Sequence, residues 1–149
     1  MFTKTTLALL SGALLSPCIL AETNTQDSLD PRQLVEMPAP AQQLMRQDML
    51  SHLAALNSII AALGSGDLNL AADTAEQQMG RASMGKHRAS GMGPGRFMPL
   101  EMRNLGWGMH DAADAFAVEA RKGNAQSAYA ALQNVTSSCV ACHAVYRTR

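Results

Sequence analysis

Two punctuation points, Gly64-Ser65-Gly66-Asp67 and Gly123-Asn124, constrain the fold of this chain more than any other feature. Each sets a glycine, which can end a helix in the left-handed region, directly before an Asp or Asn able to cap the next helix. Apolar residues recur at three- and four-residue steps on both sides of each point, and no stretch alternates with the period of a strand. Four helices are therefore expected. The first starts near Pro40, tolerated in a first turn, with a stripe of Met45, Met49, Leu53, Leu56, Ile60 and Leu63. The second turns Leu68, Ala71, Ala75 and Met79 inward. The third opens at Pro99 and carries Met102, Leu105, Met109, Ala112, Phe116 and Ala120. The fourth carries Ala128, Leu132, Val135, Cys139, Cys142 and Tyr146. Short connections make antiparallel neighbours, so the expected class is all-α, an up-down-up-down four-helix bundle over residues 40–149. Residues 80–98, rich in Gly, Met and basic side chains, read as one long loop.

Ahead of the bundle, residues 1–21 read as a secretory leader. Lys4 supplies the positive start, the run from Leu7 to Leu20 is almost wholly apolar, and Ala21 is a small residue at the cut. That run, about 14 residues, is too short for a bilayer, which takes ~20, so no stable membrane insertion is expected. Pro17 stands where a lipoprotein signal wants Gly, Ala or Ser, which argues against lipidation at Cys18. Residues 22–39 are polar and patternless, an expected flexible lead-in. Twelve basic and twelve acidic side chains balance. Such a balance lacks the concentrated basic face that nucleic-acid binding needs. The expected compartment is the periplasm, and the cysteines left after cleavage are Cys139 and Cys142.

Cys139-Val140-Ala141-Cys142-His143 has the spacing of c-type haem attachment. On a helix, positions 139, 142, 143 and 146 share one face. Two thiols three residues apart reach the two vinyl groups of a porphyrin, and the adjacent imidazole falls under the iron as its proximal ligand. Other readings fare worse. A disulfide between such close neighbours closes a tiny loop and gains little. A redox dithiol needs its first cysteine at a helix N-terminus after a strand, not late in a final helix. A zinc site would need a further ligand from His52, His87 or His110, none at a finger-like spacing.

The run from Cys139 to Arg147, C-V-A-C-H-A-V-Y-R, resembles the C-terminal signature of the cytochrome c′ family, whose haem motif ends a four-helix bundle. Arg46-Gln47 with Leu50 and a Gly-terminated apolar run is similar to that family's distal helix. The resemblance covers roughly residues 40–149 and implies one covalent haem c. Cys139 and Cys142 would be the thioether sites, His143 the proximal ligand, and Arg46 and Gln47 would meet a haem propionate. Arg147, a helical turn beyond His143, would bring positive charge near the ring. The stretch 80–98 is richer in Gly and Met than the family pattern and implies a separate branch with its own distal pocket.

The sixth iron position decides the function. A strong second ligand gives a low-spin iron suited to electron transfer, and an apolar residue leaves a site for small diatomic gases such as NO and CO. Met49, on the apolar stripe, is the candidate thioether ligand, whereas Met on a stripe is ordinarily core. Leu50, the position the resemblance points to and the one favoured here, cannot bind iron. His52 is a second distal candidate, His110 sits beside the third stripe, and Trp107 is placed to pack on a porphyrin or to anchor the bundle end. Met79, Met84, His87, Met92 and Met98 could offer soft donors to Cu(I). Arg81, Lys86, Arg88 and Arg96 could dock an acidic redox partner. The expectation is a periplasmic electron carrier or gas binder without turnover. An enzyme such as a peroxidase, and a copper or dithiol protein, are its alternatives. No acid–base pair is visible in the distal region to support turnover. A homodimer through the Ala- and Met-rich surface of the first two helices is also expected. N-terminal sequencing of the exported protein should begin near Glu22, and recovery of Met1 would refute the leader.

Overall fold

Both capping residues hold the helices they precede: the Asp67 carboxylate accepts the Leu70 N–H at 2.9 Å and the Asn124 side chain accepts that of Ser127 at 2.9 Å. Gly66 and Gly123 just before them have φ near +80°, a conformation that side-chain-bearing residues avoid. A computed structural model describes residues 29–148, so the expected leader and residues 22–28 of the lead-in lie outside the described residues. The compact unit that begins at Pro31 carries all of the elements described below. This unit is mostly helical, with α1 at Ala39–Ser65, α2 at Leu68–Gln78, α3 at Leu100–Arg121 and α4 at Ala125–Val145. Helix α1 packs on α2, α2 on α3 and α3 on α4. Among the described residues no helix is long and apolar enough to cross a membrane.

Helix length organises the packing. At about 1.5 Å per residue, α1 runs about 40 Å and α2 only about 16 Å. Starting straight after the Gly66 turn, α2 covers the C-terminal half of α1 alone. There the larger core forms from Ala55, Ile59, Ala62 and Leu63 of α1, Ala71, Ala72 and Ala75 of α2, Phe116 and Ala117 of α3, and Leu132 and Val135 of α4. So many alanines let the helix axes approach closely. The uncovered half of α1 carries Ala41 and Met45 into a smaller cluster with Val35, Met37, Met102 and Tyr146. Between α2 and α3 the chain crosses this end in three short 3-10 turns, Arg81–Ser83, Arg88–Ser90 and Pro94–Arg96. It leaves α2 through buried Gly80, where a Cβ would overlap the Asp114 carboxylate and the Glu76 carbonyl. That carboxylate accepts the Arg81 N–H at 3.1 Å, and the Arg81 guanidinium pairs with Asp111, one bond at 2.7 Å.

Three expectations need correction. Residues 33–35 are not a flexible lead-in: Gln33–Val35 forms β1, parallel to β2 at Tyr146–Thr148, with Gln33 opposite Tyr146 and Val35 opposite Thr148. Three residues are too few for alternation to show, and only partners 111 or more positions away satisfy their backbone groups. For the same reason Tyr146 does not continue α4; it lies on β2 and remains buried. Finally, the buried face of α1 is Ala41, Met45, Ala55, Ile59, Ala62 and Leu63, whereas Leu53 and Ile60 face outward. The large side chains marked the wrong face because alanine is what the close α1–α2 packing selects. Adjacent Ile59 and Ile60, 1% and 50% exposed, test this directly. Ile59→Ala should destabilise by about 2–5 kcal/mol and Ile60→Ala by well under half of that, measured by chemical denaturation; equal losses would contradict the observed face.

Candidate functional site

The end of the fold that α2 fails to cover is not filled by side chains. It holds two cavities, of about 490 and 290 Å³, that share Met45, Met49, Met98 and Gly106 as a common wall. Cavities of about 300–1,000 Å³ are the usual size of ligand sites. The smaller is bounded by Cys142 and His143 at the end of α4, by Tyr146, Arg147 and Thr148 of β2, by Arg32, and by Met102. The strand pair holds this corner. Arg147 Nε donates to the Arg32 carbonyl at 3.3 Å, and Arg32 Nη1 donates to the His143 carbonyl at 3.4 Å. Arg147 therefore lies beside His143 through β2, and not one helical turn beyond it.

The two thiols straddle the two cores, Cys139 packed against the larger cluster and Cys142 against the smaller. Both are free and half-buried. Burial pushes both thiols above their ordinary range, and the Cys139 charge adds to the effect at Cys142. They stand in the last turns of α4, at the negative end of its dipole, which disfavours thiolate. A reactive dithiol pair needs the opposite environment.

Of the α1 candidates, Met49 lines both cavities and is 36% exposed, so packing does not consume its thioether. Met45 lines both as well but is buried in the smaller core. Leu50 is 67% exposed and lines neither cavity, which overturns the preference for it as the distal residue. Arg46 and Gln47 are exposed and line neither cavity. Helix phase explains the difference: positions 45, 49 and 52 share a face that 46, 47 and 50 do not.

The larger cavity is polar on one side. Asp48 from α1 accepts from Lys86 Nζ at 2.6 Å and pairs with His87 Nε2 at 2.9 Å. His52 meets His110 edge to face, ring centres 5.8 Å apart, and His110 Nδ1 lies 2.6 Å from the Met79 carbonyl oxygen. The Arg103 guanidinium stands 5.9 Å from the centre of the Trp107 ring, and both line the cavity. This corrects two premises. Of the four basic residues singled out in 80–98, Arg81 and Lys86 are paired with carboxylates and Arg96 Nη1 donates to the Gly91 carbonyl at 3.2 Å, while Arg88 lines the larger cavity. An acid–base pair, Asp48 with His87, does line the larger cavity; 39 positions of separation hid it from the sequence. Arg103 was missed too, as a charged residue beside an apolar stripe carries no local signal. Among the described residues, no three His, Cys, Asp or Glu side chains cluster to hold a metal ion, so the zinc reading finds no ligand set. Comparisons of the chain with protein-family models, with curated proteins and with solved structures return no match.

Burial, aided by the charges of His110 and Lys86 and opposed by Asp48, holds the His52 pKa below its ordinary 6.5. As pH falls through that value the unfolded chain takes up the proton before the folded one does, so stability drops on acidification. His52→Gln should therefore lose less stability than the parent between about pH 7.5 and pH 5.5, read by thermal unfolding. An equal or larger loss in the variant would contradict the assigned burial.

Proposed function

We propose that the chain is a periplasmic c-type cytochrome that carries electrons, its single haem c linked to Cys139 and Cys142 and its iron held by His143 and Met49. One observation carries this reading: Cys142 and His143 of the motif line a cavity together with the methionines Met45, Met49, Met98 and Met102, while Cys139, which lines neither cavity, stands one turn of α4 before them. The donors are of the kind the group requires. Two free thiols one helical turn apart could form the thioethers, an imidazole and a thioether could hold the iron, and the rest of the wall is largely apolar. Bound haem would supply a one-electron couple. The chain's part is to fix the ring through α4, to present one thioether from α1, and to limit water through the 79–99 crossing. His143 and Met49 would hold the iron, and a metal held by two strong ligands would rearrange little on gaining or losing an electron.

The fold we associate with this function is the antiparallel up-down-up-down bundle, supported by the brief turns at Gly66-Asp67 and Gly123-Asn124. The resemblance to cytochromes c′ supports the same reading, with one departure: Met49 stands at the cavity in place of an apolar distal residue. Asp48 and His87 give the peroxidase alternative a residue pair, and a low-spin resting iron would argue against it. The reading includes a second copy of the chain as partner. Because Ala55, Ala62, Ala71, Ala72 and Ala75 are buried within the fold rather than on a shared surface of the first two helices, the face left for it is that of exposed Leu50 and Leu53. Sedimentation at micromolar concentration should show dimer, and monomer alone would remove that part.

The ferric protein should be low-spin with a sulfur-to-iron band in the near infrared. Met49→Ala should abolish the band and open the iron to carbon monoxide, while Leu50→Ala should leave the spectrum unchanged. A high-spin resting iron that binds carbon monoxide without mutation would replace electron transfer with gas binding.

A further inference from the structure

Arg103 Nε is shut off from solvent and has no hydrogen-bond partner, the one such side-chain nitrogen or oxygen among the described residues. Folded proteins rarely leave a buried charged donor unmet, and where they do a ligand or a water completes it. The guanidinium is positioned for a ligand. Arg103 lies on α3 one turn before Trp107, whose ring it faces at 5.9 Å, a contact that restrains its fork. Apart from Arg88, which also lines it, the other charged side chains of the larger cavity are already engaged. Its one carboxylate, Asp48, is taken by Lys86 and His87, and Arg96 is turned to the Gly91 carbonyl. What the cavity lacks opposite Arg103 is an anion.

The identity of that anion follows from how haem c is built. Its thioethers form at the vinyl positions along one edge of the ring, and its two propionates leave from the opposite edge. A ring held at Cys142 in the smaller cavity turns its carboxylates away from the cysteines. Beyond the shared wall of Met45, Met49, Met98 and Gly106 lies the cavity that carries Arg103. We infer that Arg103 binds a haem propionate, in the role the family resemblance assigned to Arg46 and Gln47. Those two are exposed and line neither cavity. An arginine fork suits this task because its parallel N–H groups match both oxygens of a carboxylate. The inference rests on the haem reading, and the test separates the two.

Holoproteins of R103Q, R103K and R46Q, matured in a host that assembles c-type cytochromes, would be compared with the parent. The readouts are haem retained on denaturing gels, the propionate bending band in resonance Raman spectra, and the midpoint potential. R103Q should keep its haem, shift the propionate band towards weaker hydrogen bonding, and lower the potential, because a positive charge near the ring is lost. R103K should recover the potential but not the band, since a lysine cannot form the two parallel bonds. R46Q should match the parent in both. A parent chain without covalent haem would overturn the haem reading and this assignment together. A haem-bearing parent in which R103K leaves the band unmoved, or in which R46Q moves it, would overturn the assignment of Arg103 alone. R103K keeps charge and bulk, so it decides the question even if R103Q does not fold.

Discussion

A helix of 27 residues packed against one of 11 leaves half of the longer helix without its neighbour, and the rest of this structure follows from that mismatch. Where α2 is present, alanines pack the helices together in the larger core. Where it is absent, Met45, Met49 and His52 of α1 would face water. The chain answers in three ways: it brings residues 79–99 across the gap, it pairs β1 with β2 at the open corner, and it puts methionine on the facing surfaces. Methionine suits this position because its unbranched, polarisable side chain fills irregular space and adapts to an occupant. What remains is a space bounded by one helix end, one polar rim and a methionine wall.

The proposed attachment motif gains its meaning from where that space lies. Cys139 sits against the packed alanine core and Cys142 against the methionine cluster, so the pair spans the boundary between the rigid half and the adaptable half. A ring joined to both would be fixed from the rigid side and received by the adaptable one. The strand pair serves the same end, because Arg32 and Arg147 tie the His143 backbone to the start of the chain. Preorganising a ligand's surroundings in this manner would reduce what must order on binding.

Much of the fold was legible in the sequence, and the reasons for the misses are physical. Asp67 and Asn124 announced two helix starts because capping is local chemistry, and the spacing of Cys139, Cys142 and His143 announced one shared helix face for the same reason. The buried face of α1 was misread because hydrophobicity favours Leu53 and Ile60, whereas close packing favours Ala55 and Ala62. The strands were invisible because each is three residues long and its partner is at the far end of the chain. Asp48, His87 and Arg103 became site residues only through contacts across dozens of positions, which no local pattern encodes. Leu50 was preferred on a family likeness, and the phase of α1 turns it away from both cavities.

Covalent haem is the claim on which the other functional statements rest, and the mass of the intact mature chain tests it most directly. Protein matured in a host with cytochrome c assembly and weighed under denaturing conditions should have the mass of the polypeptide plus one haem. The mass of the bare polypeptide, with or without the two hydrogens lost to a disulfide between Cys139 and Cys142, would contradict the account.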